Sequence, residues 1–266
     1  MIAREDRVDV FSDGSVDIAA PVAELPLRAR LGTHPAGAVV VVRGARGWPA
    51  AALAAAADGA AAVIVVDPIP VSPADLDGVV SRARDVPILL DRARLRPDAA
   101  DDARRDEPAP LYTVRCAAPA ASLSAVVVDA IGWLRVLSSV PLRLRAATGT
   151  RHGSLGLFDA GAAVATLTAT VLADGHADGG ARVAALALGA VRTEVVVALG
   201  RAVRVSRADA AGEVDVPTRW ESRRRLAVRR AMDALISGAR PTDLADFAHD
   251  VGLAKALAAG PPQRKA

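Results

Sequence analysis

Cysteine is almost absent from this 266-residue chain: Cys116 stands alone. A single thiol cannot build an intramolecular disulfide framework, and it is compatible with a reducing compartment. Aromatic residues are nearly as scarce, with three Trp, three Phe and one Tyr, so the core has to be assembled from Ala, Val and Leu. That scarcity also bears on partners. Nucleic-acid binders concentrate positive charge on one face and supply aromatic platforms. Here the formal net charge is only +3, despite a pI near 9.7, and acidic and basic residues are interspersed. Nucleic acid is not the expected partner. The opening MIAREDRVDV lacks the apolar run of a secretory leader. The longest apolar stretch, Ala50 to Val66, is interrupted at Asp58 and Gly59 and is too Ala-rich to span a bilayer. The four histidines, His34, His152, His176 and His249, show no metal-ligand spacing. A cytoplasmic protein with no metal and no membrane partner is expected.

What is present is a change of pattern halfway along. Arg7 to Ala20 reads as two short alternating strands around Asp13-Gly14, a hairpin turn signal. Ala38 to Arg43 and Ala62 to Val66 are continuous apolar runs, expected of strands buried on both faces. Between them Trp48 to Asp58 is helical, with Pro49 tolerated in its first turn. Ser72 is an expected N-cap for a helix from Pro73 to Arg84, and Val86 to Leu90 reads as a third strand. Alternation of this kind argues for a parallel sheet. Asp98 to Pro110, charged and containing proline, reads as a linker.

The second half begins with helical spacing over Ser122 to Ser138. From Val140 to about Val216 the period drops to two. Leu142 and Leu144 alternate with Arg143 and Arg145, and Thr166, Thr168 and Thr170 share one side of their strand. Consecutive strands joined by short polar turns imply a mostly antiparallel sheet. The strands around Ala181 to Leu188 and Val195 to Leu199 are apolar at nearly every position, which implies burial on both faces. Helices over Thr218 to Ser237 and Thr242 to Ala259 close the chain. The reading is therefore α/β: a partial Rossmann-like parallel domain over residues 1–100, then an α+β domain over residues 111–266 with an open sheet. Trp48, Trp133 and Trp220 are expected as core or interface anchors. The arginines at 223, 224, 225, 229 and 230 are expected on a solvated helix face with partners such as Glu221 and Asp233.

Three stretches carry a family likeness: Asp129 to Leu137, Ala162 to Gly175, and Arg219 to Leu257 with its Gly238-to-Pro241 turn. With Ala61 to Val71, their order resembles the Gfo/Idh/MocA family, named for glucose–fructose oxidoreductase and inositol dehydrogenase. The resemblance implies a nicotinamide bound at a Gly-rich turn after the first Rossmann strand. No G-x-G-x-x-G occurs here, and residues 1–37 are too few for the missing β-α-β unit. The chain therefore reads as truncated at its N-terminus. The Gly149-to-Gly156 stretch lies between expected strands and reads as a hairpin loop.

The family's Glu-Lys-Pro lysine, aligned on Pro68, falls on Asp67, an anion where the reacting centre needs a cation. The family's Asp and His at the start of its first C-terminal helix fall on Ser122 and Val126, and valine cannot transfer a proton. No catalytic and no cofactor-binding residues are therefore expected, and no cofactor. Asp67 and Asp129 stand as ligand-binding candidates. A carboxylate after a parallel strand lies where open α/β sheets bind ligands, although Asp67-Pro68 also suffices simply to end the strand. The expected function is that of a degenerate, non-catalytic relative: a structural, regulatory or partner subunit. It would associate as a homodimer, or with an intact family member, through the open sheet face. The alternative is an NAD(P)-dependent oxidoreductase of sugar- or inositol-like substrates, completed by another chain or reworked around a sheet-edge site.

Overall fold

The computed structural model describes residues 7–104, 107–173, 180–198, 203–217 and 219–260. The chain forms two compact units. One comprises Met1–Ala93 with Trp220–Ala248, the other Arg94–Arg219 with His249–Ala266. The boundary thus falls before residue 100, and the first of the two closing helices returns to the N-terminal unit.

The first unit is a five-stranded sheet of β1 (Val8–Ser12), β2 (Ala29–Leu31), β3 (Val39–Arg43), β4 (Ala62–Val66) and β5 (Ile88–Asp91). Their order is β2-β1-β3-β4-β5, and every pairing is parallel. The all-apolar strands are explained by burial from both sides: every residue of β4 is buried. Val39 and Val41 of β3, with Ala62, Ile64 and Val66 of β4, pack against Ala227, Val228, Ala231 and Met232 of α6 (Arg223–Ser237). The alternate residues Val40, Val63 and Val65, equally buried, point to the opposite face. There α2 (Trp48–Ala57) packs on β3, β4 and α3 (Pro73–Arg82). The expected cap at Ser72 is present, its Oγ accepting the Asp75 N–H, and Ser222 caps α6 by accepting from Arg225 N–H.

The opening segment overturns the hairpin expectation. Val8 to Ser12 is a parallel strand paired on both sides, and it leads through a turn into a one-turn helix, α1 (Ala19–Ala23), and then β2. Residues 8–31 therefore hold a compressed β-α-β unit, which corrects the expectation that this unit is missing. The reason is local: alternation and a Gly turn are shared by hairpins and by short parallel strands, and only tertiary pairing separates them.

In the second unit, α4 (Pro97–Ala103) replaces the expected linker, burying Ala99, Ala100 and Ala103. The sheet contains β6 (Leu111–Pro119), β7 (Leu142–Thr150), β8 (Gly153–Ala160), β9 (Ala163–Leu172), β10 (Arg182–Leu188), β11 (Arg192–Ala198), β12 (Arg204–Asp209) and β13 (Gly212–Asp215). The order is β13-β12-β11-β10-β6-β9-β8-β7, antiparallel except for β6 against β9. One face is covered by α5 (Ala120–Ser138), the one described helix long and apolar enough to cross a membrane. Its length is used against the sheet instead, with Val126, Ile131, Trp133 and Leu134 fully buried in the core. Each such aliphatic side chain contributes roughly 1.5–3 kcal/mol on burial. Trp133 also donates its indole N–H to Arg94 O at 2.7 Å. The expected hairpin is observed at Arg151-His152, between β7 and β8.

The opposite sheet face is partly open. In β10 and β11 buried residues alternate with half-covered ones, Ala184, Leu186 and Val196 among the latter. Burial on both faces, expected from composition, is therefore not met within the chain. The final helix, α7 (Asp243–Ala259), starts in the first unit and ends in the second.

Candidate functional site at the C-terminal edge of the first sheet

An open parallel sheet presents its chemistry beyond the C-terminal ends of its strands, at the point where strand order reverses. Here that point lies between β1 and β3. The β1 turn is closed by its own side chains. Ser12 Oγ accepts from Gly14 N–H, Asp13 Oδ1 accepts from Ser15 N–H at 2.9 Å, and Asp17 Oδ1 accepts from Ala19 N–H at 3.0 Å at the start of α1. The bonds from Ser15 hold the Asp13 carboxyl below the usual range. Arg43, ending β3, ties the turn to the sheet by donating twice to Ser15 O, at 3.0 and 2.8 Å. From above, Arg224 donates to Asp17 O. The Gly14 amide is thus met by a hydroxyl, and those of Ser15 and Ala19 by carboxylates.

One strand further on lies Asp67. Its φ is +54°, in the left-handed region that side chains other than Gly seldom occupy. Its neighbour across the edge, Gly44, comes so close that an added Cβ would stand under 3.0 Å from the backbone of Asp67 and Pro68. Three backbone bonds hold this corner: Gly44 N–H to Val66 O, Ile69 N–H to Gly44 O, and Asp67 N–H to Asp91 O. A non-Gly residue held in this conformation costs on the order of 1–3 kcal/mol and persists where its surroundings enforce it. The result is a carboxylate set out on the sheet edge, its side chain 48% exposed.

Arg223, in the first turn of α6, joins the ends of two strands. Its Nη1 donates to Asp67 Oδ1 at 2.6 Å, and its Nε lies 3.2 Å from the buried Asp91 carboxylate. Arg92 follows Asp91 directly, buried, with its guanidinium 5.3 Å from the centroid of the Phe247 ring. The same ring meets Trp48 edge-on, and the Trp48 indole N–H donates to Ile69 O at 3.0 Å. The edge therefore offers one half-exposed carboxylate backed by a guanidinium, with the Trp48 and Phe247 rings buried in the unit beneath. Such a pair can accept from and donate to the hydroxyls of a polar ligand.

The other sequence candidates lie in the second unit. Ser122, in the first turn of α5, donates to Pro119 O. Val126 is fully buried in the core. Asp129, also buried, lies 3.7 Å from Arg94 as an ion pair, which explains its place in the helix without a ligand. Among the described residues no group of His, Cys, Asp and Glu could hold a metal. Among the arginines of α6, Arg229 has the partners expected, binding Glu221 through both carboxylate oxygens and also Asp233, whereas Arg230 binds Asp243 through both of its oxygens. Trp220 is 99% exposed, which excludes the core role. Two features escaped sequence reasoning. The Asp91-Arg92 pair ends a parallel strand in the charge order of a Glu-Lys pair, one β-α unit after the expected position. Arg223 reaches Asp67 across 156 residues, a distance that no local motif signals.

No protein-family model matches the chain, and no curated protein matches its sequence. Solved structures do match its shape. KijD10, a 3-ketoreductase from Actinomadura kijaniata in complex with NADP and TDP-benzene, is 13% identical over 96% of this chain and 98% of that one, with a TM-score of 0.66. UDP-N-acetylglucosamine 3-dehydrogenase GnnA from Acidithiobacillus ferrooxidans is 14% identical over 94% and 95%, also at 0.66. A dehydrogenase (MviM) from Clostridium difficile is 8% identical over 93% and 97%, at 0.67. The overlap runs the length of both chains, in agreement with the compressed but present opening unit. The fold of this chain, a Rossmann-like parallel sheet followed by a mostly antiparallel eight-stranded sheet, is that of the Gfo/Idh/MocA-type sugar dehydrogenases and ketoreductases.

Proposed function

We propose that this chain is a sugar-oxidoreductase-fold protein that takes a hydroxylated, sugar-type ligand at the Asp67–Arg223 edge and binds no nicotinamide at its own β1 turn. In that reading it acts as a regulatory or partner subunit rather than as a hydride-transfer enzyme. The observation that carries it is the filled turn: Asp13 and Asp17 take the Ser15 and Ala19 amides, and a pyrophosphate arriving there would meet two carboxylates. Like charges desolvated together oppose binding. The half-covered face of the second sheet, with Leu111, Leu155 and Leu188 each at least 36% exposed, is where we place its association with a second copy or an intact relative. A stable interface there would bury on the order of 1,600 Å² in total.

A second reading has specific support. KijD10, bound to NADP, overlaps this chain end to end, and Asp91-Arg92 supplies a buried carboxylate and cation at a strand end. On that reading the chain is an NAD(P)-dependent oxidoreductase of a sugar-type substrate, with Arg92 in the role of the family's lysine. One experiment separates the two: titration of the purified protein with NADPH and with NADH, followed by nicotinamide fluorescence. No saturable binding up to about 1 mM, a limit of about −4 kcal/mol, is the result expected of the first reading. Micromolar binding, with sugar turnover that Arg92→Ala removes while cofactor binding remains, establishes the second and ends the first.

A further inference from the structure

The other end of the first sheet, remote from the Asp67 edge, holds a cavity of about 460 Å³. We propose that it is a binding site for an apolar anion: a carboxylate carried on a short hydrocarbon chain. The volume lies within the range of roughly 300–1,000 Å³ common to small-molecule sites. Its walls are Val79 of α3, Ala83 directly after that helix, Ile88 of β5, Leu235 of α6 and Leu244 of α7. No described strand lies beyond β5, so the helices packed on either face of the sheet part company there and leave the space between them open.

An added β-strand does not suit this space. The outward Leu90 N–H already donates to Asp243 Oδ2 at 2.9 Å, and Arg230 holds Asp243 with two bonds. The edge is capped just where a strand would continue, and what remains open is compact and apolar. Its mouth is polar and carries an excess of positive charge. Arg240, in the turn between α6 and α7, reaches across to the turn between α3 and β5. There it donates to Arg84 O and lies 3.6 Å from Asp85. Arg84 and Asp85 line the same mouth, with Arg84 Nε donating to Ser81 O.

The Arg240–Asp85 pair is 71% and 88% exposed, and exposed pairs of this kind contribute little. An arriving carboxylate can therefore take up Arg240 in the fork geometry that guanidinium favours while its chain enters the apolar walls. Each methylene buried strengthens binding about fourfold, so affinity should climb with chain length until the cavity is full.

The test is amide NMR of the ¹⁵N-labelled full chain titrated with sodium hexanoate, sodium octanoate and 1-octanol. Expected are saturable shifts confined to residues 79–88 and 235–245. Octanoate should bind at least tenfold more tightly than hexanoate, and also than octanol. Ala83→Trp, or Ala245→Trp at the exposed rim should the first fail to fold, should remove binding of all three. Arg240→Glu should weaken octanoate about tenfold and leave octanol unchanged. Absence of saturable shifts, shifts mapping elsewhere, or octanoate binding undiminished in the folded tryptophan variants would overturn the site. Octanol binding as tightly as octanoate would overturn its assignment to an anion.

Discussion

The two sheets of this molecule are built on opposite plans. In the first, the inner strands such as Ala62–Val66 are apolar along their length and carry charge where they end, at Arg43, Asp67 and Asp91, while β1 and β2 carry one ion pair midway, Asp9 with Arg30. In the second, charge runs along the strands: Arg115, Arg182 and Arg204 are exposed beside buried Val114, Val183 and Val205. A parallel sheet covered by helices on both faces has its strand ends as the place for ligand chemistry. A sheet covered on one face has a whole surface left for solvent or a partner. Two ion pairs stand in the same contrast. Arg223–Asp67 stands half out in water at a strand end, whereas Arg135–Asp250 lies inside the second unit with the Asp250 side chain fully buried.

That contrast predicts a wide difference in cost. Asp250 accepts from Arg135 Nε at 3.1 Å and Nη2 at 3.3 Å. Asp250→Ala removes the buried carboxylate from beside Arg135 and should cost about 3–5 kcal/mol, the penalty of breaking a buried pair. Asp67→Ala removes a carboxylate that is 48% exposed and should cost under about 1 kcal/mol. Urea unfolding midpoints of the two variants measure the difference. Equal losses would break the comparison and show the sheet edge to be as closed as the core.

A second variant sharpens the account of the edge itself. Gly44→Ala puts a methyl against the backbone of Asp67 and Pro68, neither of which can swing aside as a side chain would. Overpacking of this sort costs typically 1–3 kcal/mol, and here the corner that holds Asp67 at φ +54° should open with it. Gly14→Ala provides the reference, because nothing lies within 4 Å of its added Cβ and only the backbone strain of its φ of +90° is charged. Amide exchange at Asp67 and Ile69 should accelerate in Gly44→Ala and remain unchanged in Gly14→Ala.

These features differ in how far the sequence discloses them. The apolar runs of β3 and β4, the Ser72 cap and the long α5 were legible because each rests on spacing within a dozen residues. β1 was misread, since V-D-V-F-S before an Asp-Gly turn carries no mark of the strands it will pair with. Pro68 drew the Glu-Lys-Pro alignment to Asp67, although the carboxylate–cation order stands at Asp91-Arg92. The clamp from Arg223 to Asp67 and Asp91 depends on α6 returning to the first sheet after the second is complete. Nothing in the helical pattern of residues 223–237 says which sheet it will cover.

The smallest expected effect concerns Asp98, at the first turn of α4 in the second unit. Burial is the largest influence on its carboxyl and pushes it up. The hydrogen bond and charge of Arg96, the Ala99 N–H and the charge of Arg219 together outweigh burial and leave it below the ordinary 3.8. A carboxyl depressed on folding adds stability above its unfolded value, and that contribution drains away as pH falls through the folded one. Between pH 4 and pH 2 the native chain should therefore lose more stability than Asp98→Asn, whose amide does not titrate. At pH 7 the variant should be the weaker of the two, because the charged partner of Arg96, bound at 3.0 and 2.6 Å, is gone. Melting temperatures of both proteins at pH 7 and pH 3 give the comparison. A smaller acid loss in the native chain than in Asp98→Asn would mean that burial, not Arg96, governs this carboxyl, and the α4 end would then join the buried pairs of the second unit rather than the paired edges of the first.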